Sequence, residues 1–350
     1  MEIPSSAEEI PIKVSLSHVN AVLRAYLGRE VVISSFAAFP TRGFSAFTPT
    51  RSYAVHAQDE ESYLLRVSPP LQSTVSIYAP NTLATEAHLS TLLEKHTSIP
   101  HAKVYKIDET LQLMPYPYLL LSYPRGIPLA ESRASLSPRQ NTLLDLRLGS
   151  YYKQLHEEVQ NDWFGLPTQE KDELYSWQEA FTYLLESLLQ EAREMQLEIV
   201  IPFEDVRRYL SRAIGSFLFD DCEVPSLVSL TGSEGTIFVQ IGKQEDEVEI
   251  TSMFSLSHAL WGDPLLESMF IDDPSTAFWE GYGGSPIVFV RQRTKRMWYT
   301  LFLALMIIVQ AKKGAGNILH SMKKEEQDGV SWAREAIGAC IEKLKDAPCY

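Results

Sequence analysis

The chain has 350 residues, 45% hydrophobic and 22% charged, the balance of a soluble globular protein with room for one large core or two smaller ones. Its formal charge of −14 excludes a broad phosphate-binding surface, so nucleic acid is not an expected partner. Three widely spaced cysteines exclude a disulfide framework and a cysteine-rich zinc site.

The N-terminal stretch MEIPSSAEEIPIK is acidic and has no apolar h-region, so a cytoplasmic location is expected. From Glu30 the chain alternates short β-branched or aromatic runs with polar turns. EVVISSFAAF, SYAVHA and SYLLRV read as antiparallel strands separated by PTRGFS and QDEE. NTLATEAHLSTLLEK (Asn81–Lys95) carries apolar residues at helical spacing, and AKVYKID and YPYLLLSYPRG read as two more strands. The first third therefore predicts a small sheet of about five strands plus one helix. Beyond Gly126 the pattern turns helical, over Pro138–Gln160, Tyr175–Leu197, Pro202–Leu218, Arg293–Gly314 and Ser331–Asp346, with one β-like island at Leu227–Phe254. The run WYTLFLALMIIVQA (Trp298–Ala311) is too short to span a bilayer and reads as a buried core helix, so no membrane association is expected. The basic group Arg291, Arg293, Lys295 and Arg296 reads as a solvated helix start. Two lobes are expected, residues 1–124 and 125–350, with a ligand-binding cleft between them.

This order of segments resembles the aminoglycoside phosphotransferase/choline kinase superfamily, most closely its fungal branch. The motifs that carry the resemblance are RGFSAF (Arg42–Phe47), YLLRVSPP (Tyr63–Pro70), ATEAHLSTLLEKHTSIPHAKVY (Ala84–Tyr105), PYLLLSYPRGIPL (Pro117–Leu129), LGSYYKQLH (Leu148–His156), FGLP (Phe164–Pro167), ALWGDPLLE (Ala259–Glu267) and WEGYG (Trp279–Gly283). The resemblance implies an α+β, two-lobed protein-kinase-like fold. It also implies ligand contacts from the phosphate turn (Gly43, Phe44, Ser45), from the cation–carboxylate pair (Arg66, Glu86) and from the hinge (Ser122, Tyr123).

Phosphoryl transfer needs a carboxylate to orient the acceptor and an Asn and an Asp to hold Mg²⁺. At the family's positions for these groups stand Thr231, Thr236 and Ser255, with Ser229 where a His precedes the Asp. A hydroxyl is a neutral, weak magnesium ligand and supplies no charge of its own. The sequence therefore predicts a degenerate, pseudokinase-like site with no cofactor and no metal. Such a protein is expected to bind a small organic molecule and to catalyse a non-phosphoryl, metal-independent step, within fungal specialised metabolism. Three alternatives stay open: a scaffold that binds a protein partner, an ATP- and Mg-dependent phosphotransferase with an atypical site, and group transfer from an activated amino acid. His258 and Glu234 are candidate acid–base groups. Asp263 reads as a helix cap, with a rebuilt metal site as its alternative use. His156 reads as a satisfied boundary residue. Trp177, Phe181, Trp261, Tyr282 and Trp298 read as core, with some of them available to an acceptor pocket.

Overall fold

The structure is a computed structural model and describes residues 12–69, 78–168, 174–197, 201–244, 246–314 and 324–348. Pro70 and Cys349 lie outside the described residues.

The small lobe opens on a helix not anticipated above, α1 (Leu16–Leu27). Its N-cap is Ser15, in a reciprocal capping box with His18, and it ends on Gly28 in the left-handed region (φ 67°). Five strands follow: β1 (Ile33–Phe39), β2 (Arg51–Ala57), β3 (Ser62–Val67), β4 (Val104–Asp108) and β5 (Tyr118–Ser122). They form one antiparallel sheet in the order β1-β2-β3-β5-β4. Helix α2 (Leu83–His96) lies between β3 and β4 in sequence and is capped by Thr82.

Strand alternation explains why this lobe needs two helices rather than the expected one. Leu65 and Val67 of β3 and Leu120 of β5 face α1, where Val19, Val22 and Leu23 cover them. Leu64, Leu119 and Leu121 face the other way and pack with Leu83 of α2. Both sheet faces are apolar, so a single helix would leave one of them in water. Arg66 shares the α2 face with Leu64, and that alternation points its guanidinium toward the cleft.

The large lobe begins with β6 (Ile127–Pro128) and the short α3 (Leu129–Ser132), then α4 (Pro138–Glu158), α5 (Trp177–Glu194) and α6 (Phe203–Gly215). Strands β7 (Ser226–Val228), β8 (Phe238–Ile241), β9 (Val248–Ser252) and β10 (Leu260–Gly262) make two small sheets, β6-β8-β9 and β10-β7. Three helices complete the chain: α7 (Thr276–Tyr282), α8 (Val290–Gly314) and α9 (Lys324–Lys345). Residues 298–310 of α8 are buried almost all round, so this helix is the axis of the large core. Among the described residues, no helix is long and apolar enough to cross a membrane.

The start of α8 departs from the expected solvated face. Lys295 and Arg296 are buried. Lys295 bridges Asp221 (2.5 Å) and Asp263, and Arg296 donates to the carbonyls of Leu265 and Glu267. The charge run ties α8 to the β10 segment, because each buried cation meets an oxygen brought from elsewhere in the chain.

Candidate functional site

The inter-lobe cleft is built first by the pair on the α2 face of the sheet. Arg66 Nη2 donates to Glu86 Oε1 at 3.0 Å, while Nε lies 2.9 Å from Oε2. Both residues are buried, at 8% and 6% exposure, and both line the cleft. Burial pushes the Glu86 carboxyl up, and the Arg66 charge opposes that shift. The cleft volume is about 140 Å³.

The turn over the cleft, Gly43–Ala46, is held from two sides. Gly43 (φ 55°) sits so close to the loop below that a Cβ would lie 2.5 Å from Ser233 Oγ. Phe44 turns outward onto Trp332 of α9, with ring centroids 4.6 Å apart. A Cβ on Gly329 of α9 would meet the Phe47 ring at 2.9 Å. Arg42 forms an ion pair with Glu131 of α3 at 2.6 Å, and Ser45 Oγ donates to the Arg42 carbonyl at 2.6 Å. The turn therefore lies clamped between α9 and the large-lobe loop.

That loop joins β7 to β8 and holds the sequence SLTGSEGT (residues 229–236). Ser229 is fully buried. Its backbone N–H donates to Glu267 Oε1 and its hydroxyl to Oε2, each at 2.6 Å. Leu230 takes a left-handed conformation (φ 60°), costly for a branched side chain. Thr231 is fully buried, and its hydroxyl has no hydrogen-bond partner among the described residues. Glu234 bonds Arg133 Nε at 2.7 Å, and Arg133 also bridges Asp145. The Thr236 hydroxyl closes the local turn, donating to the Ser233 carbonyl at 2.9 Å. In the second loop, Ser255 and Ser257 share a hydrogen bond of 2.8 Å, beside Phe254 at φ 67°.

The candidate acid–base and metal groups sit in structural networks. His258 is buried between Tyr78, whose hydroxyl lies 3.0 Å from Nδ1, and the Phe47 carbonyl, 2.9 Å from Nε2. A carbonyl only accepts, so Nε2 carries the proton and Nδ1 accepts from Tyr78. Desolvation lowers the His258 pKa from the ordinary 6.5 to about 4. Asp263 accepts from the Leu265 N–H at 2.9 Å and from the Tyr299 hydroxyl at 2.8 Å, which makes it the cap of a 3₁₀ turn and the partner of Lys295. His156 reaches Tyr282 (2.8 Å) and Glu267 (3.4 Å). Trp177, Phe181, Trp261 and Trp298 are buried in the large core, with Tyr282 packed against it; none of the five lines the cleft.

The low His258 pKa has a pH consequence. Between pH 6.5 and 4 the unfolded chain binds a proton here that the folded chain refuses. Stability is thus fully present above pH 6.5 and falls by about 3 kcal/mol as the pH drops toward 4. Urea midpoints at pH 7 and pH 4.5 check this, and His258→Gln is expected to lose less stability over that interval than the parent chain.

The structure brings Ser45, Arg66, Glu86, Thr236 and Ser255 to the cleft wall. Gly43 and Phe44 are turned to Ser233 and Trp332. Ser122 accepts from the Lys103 N–H at 2.9 Å, and Tyr123 packs on His56 and Phe39, so neither faces the cleft. Two residues passed over in the sequence matter here. Glu267 anchors the β7–β8 loop, and the signal for it is a lone carboxylate inside the apolar PLLESMF. His101 stands in the cleft wall, marked only by a histidine between Pro100 and Ala102.

The residues present do not fit the magnesium that the resemblance implies. Thr231, Thr236 and Ser255, which the resemblance sets at the base and ligand positions, carry neutral hydroxyls. The nearby carboxylates Glu234, Asp263 and Glu267 are engaged by Arg133, Lys295 and Ser229. Among the described residues, no three His, Cys, Asp or Glu side chains are grouped to hold a metal ion.

No protein-family model matches the sequence, and no curated protein matches it significantly. Solved structures do match. A protein of Ralstonia eutropha JMP134, provisionally described as an aminoglycoside phosphotransferase, superposes with a TM-score of 0.62 at 14% identity, over 95% of this chain and 99% of its own. APH(2″)-IIIa in complex with GDP and kanamycin gives 0.59 at 14% identity, over 93% and 99%. A thermostable mutant of APH(4)-Ia, in ternary complex with AMP-PNP and hygromycin B, gives 0.54 at 17%, over 93% and 98%. At these identities the likeness shows the fold: this chain has the two-lobed, kinase-like architecture of the aminoglycoside phosphotransferases.

Proposed function

We propose that this chain binds a small organic molecule in its inter-lobe cleft and acts on it without a metal-bound nucleotide. The observation that carries the proposal is the seating of Gly43 on Ser233, above a loop whose Asp position is the fully buried Thr231. A nucleotide's phosphates need room under the turn and a cation beside them. Here the turn rests on the loop, and the groups in reach are neutral or already paired. The volume points the same way. Pockets for drug-sized ligands run from roughly 300 to 1,000 Å³, whereas a cavity of roughly 150 Å³ holds a single benzene ring. At about 140 Å³ this cleft suits a ring-sized molecule. A metal-independent step in specialised metabolism remains the reading of its chemistry.

The neighbours crystallised with GDP or AMP-PNP define the competing reading, a small-molecule phosphotransferase. Titration calorimetry with Mg-ATP is expected to show no binding tighter than about 1 mM. Product assays with and without ATP and EDTA complete the test. ATP-dependent, EDTA-sensitive turnover would overturn the proposal. A scaffold role is the second reading, favoured by the clamp of α9 on the turn, and it would be left standing by a cleft that takes up no small molecule at all.

A further inference from the structure

We infer that α9 is a strap that governs access to the cleft, holding the Gly43–Ala46 turn down until its own first turns let go. What the strap admits rests on the reading of the cleft as a small-molecule site; its grip on the turn does not. The helix touches both lobes. Ala333, Ile337, Cys340 and Leu344 recur at helical spacing and are buried in the large core. Arg212 of α6 donates to the Leu344 and Lys345 carbonyls, at 2.9 and 2.8 Å, and ties down the far end. The near end meets the small lobe instead. Trp332 lies against the Phe44 ring, and the Phe47 ring comes so close to Gly329 that a Cβ there would stand 2.9 Å from it. Glycine is unfavourable inside a helix, and here it leaves the space that a neighbouring ring takes up. Phe44 and Phe47 bracket Ser45, which lines the cleft. On the large-lobe side the turn has the ion pair of Arg42 with Glu131, half exposed at the carboxylate, and the approach of Gly43 to Ser233, whose hydroxyl has no hydrogen-bond partner among the described residues. An exposed ion pair adds little, and aromatic contacts add more. The grip on the turn therefore comes chiefly from α9.

A cysteine in the cleft wall reads access directly. Ser90 lines the cleft from α2, one turn beyond Glu86. In a chain carrying Ser90→Cys, methyl methanethiosulfonate is expected to label that thiol slowly, followed by peptide mass to set it apart from the chain's own three cysteines. Adding Trp332→Ala or Gly329→Ala is expected to speed the labelling about tenfold, the scale of one lost aromatic pair. Gly338→Ala strengthens the same helix away from the turn and is expected to leave the rate unchanged. Hydrogen exchange over residues 298–310 of α8 is expected to stay at the parental rate, which separates lifting of the turn from unfolding. Unchanged labelling in both strap variants overturns the inference, and so does labelling that quickens only together with exchange in α8. Fast labelling of the Ser90→Cys chain itself overturns it too, because no strap then closes the cleft. Should a strap variant fail to fold, Phe44→Ala removes the same contact from the small-lobe side and is read in the same way. None of these readings uses a cleft ligand, so the strap can fail while the small-molecule reading stands, and the reverse.

Discussion

Replacing Gly149 with alanine is expected to unfold the large lobe or to cost it more than about 3 kcal/mol, at the top of the range for overpacking. Helices α4 and α7 cross backbone to backbone. A Cβ on Gly149 would lie 1.9 Å from the Phe278 carbonyl oxygen, and one on Gly281 would lie 1.9 Å from that of Leu146. No rotamer change relieves such a clash, because the obstructing atoms are main chain. The helices would have to separate, and the ring contacts of Tyr152 with Phe278 and Phe270 would loosen with them. Gly281→Ala is expected to behave alike. Gly338, within α9, has nothing within 4 Å of its would-be Cβ, and Gly338→Ala is expected to stabilise by about 0.5–1 kcal/mol. Urea midpoints of the three variants check the contrast. A Gly149→Ala protein with parental stability would mean the crossing is wider than described.

The second large effect concerns Arg66 and Glu86. Glu86→Leu leaves a buried guanidinium without its carboxylate and is expected to cost about 3–5 kcal/mol. Arg66→Met leaves the carboxylate unpaired at a site whose burial already favours the neutral acid, so its cost is expected to fall as the pH is lowered toward the raised Glu86 pKa. The double replacement removes both charges at similar volume and is expected to cost far less than the sum of the singles. Denaturant unfolding of all four proteins gives the coupling. A folded double variant that no longer binds cleft ligands would assign the pair to ligand orientation. One that binds as before would make it a structural bridge between sheet and α2.

Much of this fold was legible. The run SYLLRV became β3 with the expected bounds, and the expected helix from Asn81 became α2 from Leu83, because alternation and helical spacing are local properties. Helix α1 was legible too, in Val19, Val22, Leu23 and a closing Gly28, and was passed over in favour of the strand-like runs after it. The motifs LGSYYKQLH and WEGYG proved to be the two halves of one helix crossing, which their separation in sequence conceals. What sequence could not show is partnership. Lys295 and Arg296 looked solvated because Asp221 and the Leu265 and Glu267 carbonyls come from other segments. His258 looked available because Tyr78 and Phe47 are 180 and 211 residues away. In the same way, the fate of Thr231 depends on burial, which no local pattern records.

The bonds around His258 bear on how the chain reaches its native state. Phe47 and Tyr78 belong to the first third of the chain, yet they complete their contacts on His258, and the Asn81 amide donates to the carbonyls of Leu256 and Ala259. The upper half of the molecule therefore finishes only after the segment beyond residue 250 has been made. Closing so long a loop is slow, and its reward arrives all at once. Such a chain is expected to dock its two halves only once that late segment has left the ribosome.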